Sequence, residues 1–80
     1  MEDRYVYRGQ DITVDVFMKI EKTIRLIAER EERGFDACYC DFLSSKTYEV
    51  LLDTESLLWA ESSEFLRDEY FRERNVSVQP

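Results

Sequence analysis

The stretch TVDVFMKIEKTIRLIAEREER, residues 13–33, carries a strongly periodic run of apolar side chains. They recur at steps of three and four, the spacing that places side chains on one face of an α-helix: Val16, Phe17, Ile20, Ile24, Ile27 and Ala28. Asp11 or Thr13 can cap the first turn, and Gly34 can supply the left-handed residue that ends the helix. The pattern predicts a helix over residues 13–33.

The next stretch, FDACYCDFLSSKTYEVLL at residues 35–52, also has apolar residues at helical spacing, but the apolar face shifts partway along the stretch. One face holds the apolar residues Phe35, Cys38, Tyr39, Phe42 and Leu43, and a shifted face continues with Tyr48, Leu51 and Leu52. Serine hydroxyls compete for backbone hydrogen bonds, so the pair Ser44–Ser45 predicts a kink or a restarted helix. Asp53 or Thr54 then caps a short turn.

The two ends of the chain have weaker patterns. Tyr5 and Tyr7 alternate before Gly9, which indicates either a short strand or an arm in residues 1–10. Ser62 or Ser63 caps a last helix, and residues 76–80 are expected to be a disordered tail. The sequence therefore predicts one all-α domain over residues 1–80, a small bundle of three to four helices.

The composition supports a core in a small domain. Hydrophobic residues make up 44% of the 80 residues and aromatic residues 14%, well above a disordered composition. A chain of this size buries only about 60% of the surface that its unfolded form exposes, so a partner subunit often helps. One expectation is therefore a homodimer through a single face of the first helix, formed by Val16, Ile20, Ile24 and Ile27.

The distribution of charge bears on the partner. The formal net charge is −7, and residues 53–80 hold seven acids against three bases. Because phosphates are neutralised by Lys and Arg, this charge argues against nucleic acid and favours a basic protein as the partner. The alternative is that the charge only maintains solubility.

The location of the protein is predicted from what the sequence lacks. No run approaches the roughly 20 apolar residues of a membrane helix. The start, MEDRYVYRGQ, is charged and lacks the apolar region of a secretory signal. We expect a cytoplasmic protein that does not bind a membrane, with both thiols reduced.

The cysteines Cys38 and Cys40 are two positions apart, which raises the question of a metal or redox site. On a helix such neighbours point about 200° apart, and the chain has no histidine and no third cysteine. Cys38 falls on the apolar face and Cys40 off it. The pattern therefore favours a structural role, and no metal or cofactor is expected.

Catalytic chemistry has little support in the sequence. Acidic groups are abundant, but none belongs to a recognised catalytic motif, and the commonest general base, histidine, is missing. A small carboxylate-dependent enzyme would require a cleft around Asp53 and Glu55. The sequence therefore predicts a protein that is not an enzyme.

Aromatic side chains in the C-terminal half are the candidates for an interface. Trp and Tyr are enriched at interaction hot spots because they bury a large area and keep a polar group. Core packing is the competing interpretation for Trp59. The predicted interface residues are Trp59, Phe65, Tyr70 and Phe71.

Residues 40–73 carry the pattern F-x-x-S-x-T-Y-x-x-L, an acidic turn, L-W and a serine before an aromatic-rich helix. The residues that match are Phe42, Ser45, Thr47, Tyr48, Leu51, Leu58, Trp59 and Ser62. The stretch resembles a group of small uncharacterised bacterial proteins that are associated with toxin–antitoxin-like gene clusters. The resemblance implies a role in binding a partner.

These observations lead to one expected function and two alternatives. The expected function is that of a small acidic, non-enzymatic protein-binding module, an antitoxin-like or regulatory partner of a basic protein. The alternatives are a self-associating structural homo-oligomer and the small carboxylate-dependent enzyme.

Overall fold

The computed structural model describes the backbone of residues 5–78 and the side chains of residues 5–75. It is a small helical bundle with a two-stranded antiparallel hairpin at its N-terminal end, which confirms the predicted fold class. Two 3₁₀ turns, at Thr54–Ser56 and Leu58–Ala60, precede the last helix. The other elements are β1 (Val6–Tyr7), β2 (Gln10–Asp11), α1 (Thr13–Glu31), α2 (Phe35–Leu43), α3 (Lys46–Leu52) and α4 (Ser63–Val78).

The N-terminal segment forms a hairpin because its turn residues adopt positive φ. Arg8 (φ 51°) and Gly9 (φ 80°) lie between β1 and β2, and two positive φ angles are typical of the tight turn that joins twisted strands. Of the two predicted forms, strand or arm, the structure therefore shows a strand. Residues 1–4 lie outside the described part of the chain.

Helix α1 begins at Thr13, as predicted, and ends two residues early. Its N-cap residue is Ile12, without a side-chain cap, so the prediction of Asp11 or Thr13 as the cap is wrong. The Asp11 carboxylate, one residue earlier, accepts the backbone N–H of Thr13 at 2.9 Å. The helix ends at Glu31, and Glu32 is the left-handed residue, with φ 53°. The prediction that Gly34 ends the helix is wrong, because Gly34 is extended (φ −67°, ψ 152°) and directly precedes α2.

The left-handed conformation of Glu32 leads to a stability prediction. Glycine adopts positive φ without the steric cost that a side chain adds, so Glu32→Gly is expected to stabilise the protein by about 0.5–1 kcal/mol. Glu29→Gly is the control, since Glu29 is exposed inside α1 and glycine there costs about 1 kcal/mol. Urea denaturation measures both, and destabilisation by Glu32→Gly would contradict the prediction.

Three serine and aspartate caps lie where the sequence places them. Ser45 accepts the Tyr48 N–H at 3.0 Å and starts α3, which confirms the restart after Ser44. Asp53 accepts the Glu55 N–H at 3.1 Å in the following turn. Ser62 caps α4 by accepting the Phe65 N–H at 3.0 Å.

The C-terminal helix is longer than predicted. Helix α4 continues to Val78, past residue 76, where the sequence predicts the start of a tail. Residues 79–80 lie outside the described part. No helix between residues 5 and 78 combines the length and apolar character needed to cross a membrane.

The core lies between α1 and the other three helices. Its buried apolar side chains are Ile12, Val16, Ile20, Ile24, Ile27, Cys38, Phe42, Leu51, Leu66 and Tyr70. The predicted homodimer face is part of this core, since Val16, Ile20, Ile24 and Ile27 are 0–8% exposed within one chain. The prediction of dimerisation through that face is wrong because α2 and α4 pack against α1 in the same molecule.

Candidate protein-docking groove

The four aromatic residues predicted at an interface do not form one surface. Trp59 is half-buried, with its ring centroid 5.5 Å from that of Tyr7 and its Nε1–H donated to the Thr54 carbonyl at 2.9 Å. Phe71 is half-buried under the guanidinium of Arg30, which lies 4.8 Å from its ring centroid. These contacts give both rings a packing role.

Tyr70 has to be removed from the predicted interface. It is 1% exposed, and its ring packs against Phe42 in the core. Its hydroxyl accepts a hydrogen bond from the Arg74 guanidinium at 2.5 Å. A side chain buried in this way has no surface to offer a partner.

Phe65 is 40% exposed and lies in a groove between α3 and α4. The groove has a volume of about 480 Å³. The apolar residues of its lining are Val50, Leu58 and Phe65. The complete lining is Lys46, Thr47, Val50, Leu58, Phe65, Glu69, Arg72 and Glu73. We call this surface the α3–α4 groove.

Glu73 joins the two helices at one end of the α3–α4 groove. Its carboxylate accepts the N–H groups of Lys46 at 2.8 Å and Thr47 at 2.9 Å, and the Thr47 hydroxyl at 2.8 Å. These N–H groups open α3, where a helix has no internal acceptors for them. Glu73 therefore fixes the spacing between the walls of the groove.

The same contacts control the ionisation of Glu73. Burial raises its pKa, but hydrogen bonds from Lys46 and Thr47, together with the charge of Lys46, lower it by more. The pKa of the Glu73 carboxyl therefore lies below its ordinary value. The group stays ionised, and its charge favours the positive end of the α3 backbone.

The charged residues in the lining of the α3–α4 groove are balanced: Glu69 and Glu73 against Lys46 and Arg72. Further exposed acids on α3 and α4 lie outside this lining. Glu49 lines a separate hollow with Asp53, and Glu64 lines one that faces basic residues of α1.

The basic groups at the groove are partly neutralised by neighbours. Arg72 pairs with Glu69 at 3.1 Å, and Lys46 lies 3.9 Å from Glu49. Arg67 pairs with Asp68 at 3.1 Å outside the lining of the groove. The Lys46–Glu49 pair is exposed at both ends and is therefore screened by solvent, whereas Glu69 and Arg67 are only partly exposed.

The two cysteines lie apart, as the helical spacing predicts. Cys38 is buried and Cys40 exposed. Burial raises the pKa of the Cys38 thiol, and the Glu31 carboxylate, 3.8 Å from its sulfur, adds to this. Such a thiol is a poor nucleophile at neutral pH. Within the described residues, no cluster of three or more cysteine or acidic side chains is arranged to hold a metal ion.

The carboxylates considered for catalysis are Asp53 and Glu55. Both are exposed, and Asp53 is engaged in capping the first 3₁₀ turn. The α3–α4 groove was not predicted from the sequence, although Phe65 was a predicted interface residue. Val50, an apolar position outside the predicted core face, is a second signal for it.

Comparisons of the chain with protein-family models, curated proteins and solved structures give no match.

Proposed function

We propose that this protein is a non-enzymatic binding module that takes up a basic amphipathic helix of another protein in the α3–α4 groove. The observation that carries the proposal is the partly exposed apolar patch of Val50, Leu58 and Phe65 in the groove, in a chain with a formal net charge of −7. An amphipathic helix buries apolar side chains at positions i, i+3 or i+4, and i+7 in such grooves. Lysine or arginine beside those positions would meet Glu69 in the lining and the exposed Glu49, which lies 3.9 Å from Lys46.

Both halves of this recognition have a physical basis. Burial of an apolar anchor on Phe65 and Leu58 supplies affinity at about 25 cal/mol per Å² of apolar surface, before the costs of association. The net charge of −7 attracts a cationic partner and speeds the encounter. The role is that of a regulatory partner. The resemblance of residues 40–73 to the bacterial group makes a toxin-like basic protein the first partner to examine.

A synthetic helix tests the proposal without knowledge of the natural partner. The probe is a fluorescent helical peptide with leucine at i, i+4 and i+7 and lysine on both flanks. A matched peptide carries glutamate on the flanks. We expect binding of the lysine peptide, measured by fluorescence anisotropy, to weaken as salt rises, and the glutamate peptide to bind at least about tenfold more weakly. Equal affinity for the two peptides would contradict the proposal.

Phe65→Ala is the variant that locates the binding site. Removing a hot-spot aromatic costs about 2 kcal/mol or more, so we expect the affinity for the lysine peptide to fall roughly 30-fold. Phe17→Ala is the control, because Phe17 is also a half-exposed phenylalanine (49%) but lies on α1, away from the groove. If the two variants bind alike, the α3–α4 groove is not the docking site.

A further inference from the structure

Three basic side chains of α1 and the first residues of α4 line one hollow on the surface. Its polar lining residues are Lys19, Lys22, Arg25, Ser62, Ser63 and Glu64, and its volume is about 420 Å³. We call it the α1–α4 hollow. Three bases and one acid give this lining a positive charge, although the formal net charge of the chain is −7. The hollow therefore suits an anion.

The basic side chains of the α1–α4 hollow keep donors for a ligand. Lys22 is exposed and forms no ion pair within the described residues. Arg25 binds Glu21 through Nε at 3.2 Å and Nη2 at 2.7 Å, which leaves the N–H groups of Nη1. Lys19 donates to the Glu61 carbonyl, and its ammonium group has two further donors.

The start of α4 adds backbone donors to the same hollow. Ser62 accepts the Phe65 N–H through its hydroxyl at 3.0 Å and the Leu66 N–H through its carbonyl at 3.2 Å. The N–H groups of Ser63 and Glu64 have no acceptor among residues 5–75. Unpaired N–H groups at the start of a helix, together with the helix dipole, favour a negatively charged ligand.

Ser63 is an independent indication of a ligand. Its side chain is only 7% exposed and borders the α1–α4 hollow. Within the described part of the chain, its hydroxyl makes no hydrogen bond. Buried hydroxyl groups are normally hydrogen-bonded, so a ligand oxygen in the hollow would supply the missing partner.

We propose that the α1–α4 hollow binds the phosphoryl group of a small phosphomonoester. A phosphoryl dianion needs several donors and positive charge, and the hollow offers ammonium, guanidinium, hydroxyl and backbone N–H groups together. A second hollow of about 450 Å³ shares Lys19 and Lys22 with the first and is also lined by Met18, Trp59 and Ala60. The organic part of the ligand lies on this more apolar side. Neither hollow shares a residue with the α3–α4 groove.

Glu64 opposes the binding of the phosphoryl group. It is an exposed carboxylate in the first turn of α4, where it repels a second anion and occupies the positive end of the helix dipole. Glu64→Gln is therefore expected to bind the ligand about threefold more tightly. Glu55→Gln is the control, since it removes the same charge at an exposed site outside the hollow and should leave the affinity nearly unchanged.

A ¹H–¹⁵N NMR titration with phenyl phosphate measures the binding at about pH 7.5, where the ester is mostly a dianion because its second pKa is about 6. Sodium chloride keeps the ionic strength constant. We expect saturable shifts of the Ser63 and Glu64 amides, with a dissociation constant of about 5 mM or below. Inorganic phosphate should bind at least about threefold more weakly and leave the Trp59 indole N–H unshifted. Equal affinity without a Trp59 response would overturn the ester and assign the hollow to free phosphate.

Lys22→Gln separates a specific site from general attraction of anions. It removes a charged donor of the hollow, so we expect phenyl phosphate to bind roughly fivefold more weakly. Arg72→Gln is the matched control, because Arg72 is an exposed base in the α3–α4 groove. Circular dichroism checks that each variant is folded. Shifts that never saturate, or equal affinities for the two variants, would overturn the proposal and leave peptide binding in the α3–α4 groove unaffected.

Discussion

Phe42→Ala is expected to remove about 3–5 kcal/mol from the free energy of unfolding, the largest loss among the substitutions considered. Phe42 is 0% exposed, and its ring contacts Tyr48 and Tyr70 at centroid distances of 5.8 and 5.7 Å. Truncation leaves a cavity where α2, α3 and α4 meet. A domain of this length has only about 4–12 kcal/mol of stability, so the variant should be partly unfolded at 37 °C.

Urea denaturation followed by circular dichroism measures the loss, with Phe35→Ala as the matched control. Phe35 lies on the same helix, is 38% exposed and stacks on Tyr39 at 6.1 Å. Its removal is expected to cost about 1 kcal/mol or less. Equal losses for the two variants would mean that Phe42 does not hold the three helices together.

The helices and their caps could be predicted because their signals are local. The apolar period in residues 13–33 and the serines at the starts of α3 and α4 each act within about one turn. Gly34 misled the prediction for a physical reason. Glycine also suits the extended residue before a helix, so its presence does not decide which nearby position is left-handed. Glu32 takes that conformation instead.

The surface against which each apolar helix face packs could not be predicted, because it depends on contacts between elements that are distant in the sequence. The periodic face of α1 suits a partner helix of the same chain as well as one of another chain. The structure shows that it is the internal core, whereas the exposed apolar residues of α1 lie on the opposite side. For the same reason Tyr70 was wrongly predicted at an interface. It lies five residues after the exposed Phe65, which puts it on the other side of α4, where it is buried.

The contact between Glu73 and α3 is the part of the site with the weakest local signal. The two are separated by 26 residues, and glutamate near the end of a helix is usually a solvated side chain. The first N–H groups of α3 need acceptors, and this requirement is the signal that the sequence contains. Ser45 accepts only that of Tyr48, so the N–H groups of Lys46 and Thr47 required another acceptor.

Glu73→Gln is expected to destabilise the protein by about 2 kcal/mol at neutral pH. The amide of glutamine keeps one acceptor oxygen and turns an NH₂ group towards backbone N–H groups, so at least one donor of α3 loses its partner. The helix also loses a negative charge at its positive end. Because Glu73 holds the groove walls together, we expect the variant to bind the lysine peptide more weakly as well. Glu69→Gln, one turn earlier on α4, removes the ion pair between the partly exposed Glu69 and the exposed Arg72 and should cost only about 0.5 kcal/mol.

The pH dependence of the Glu73→Gln effect separates the charge from the shape of the side chain. The pKa of Glu73 is lower in the folded protein than its ordinary value, so ionisation of this group stabilises the folded state. That contribution is complete above the unfolded pKa of about 4.3 and is lost as the pH falls through the lower folded pKa. The stability difference between wild type and Glu73→Gln should therefore be constant above about pH 5 and shrink below pH 4. A difference that stays constant down to pH 2.5 would show that the carboxylate charge contributes nothing, and that Glu73 holds α3 through its shape alone.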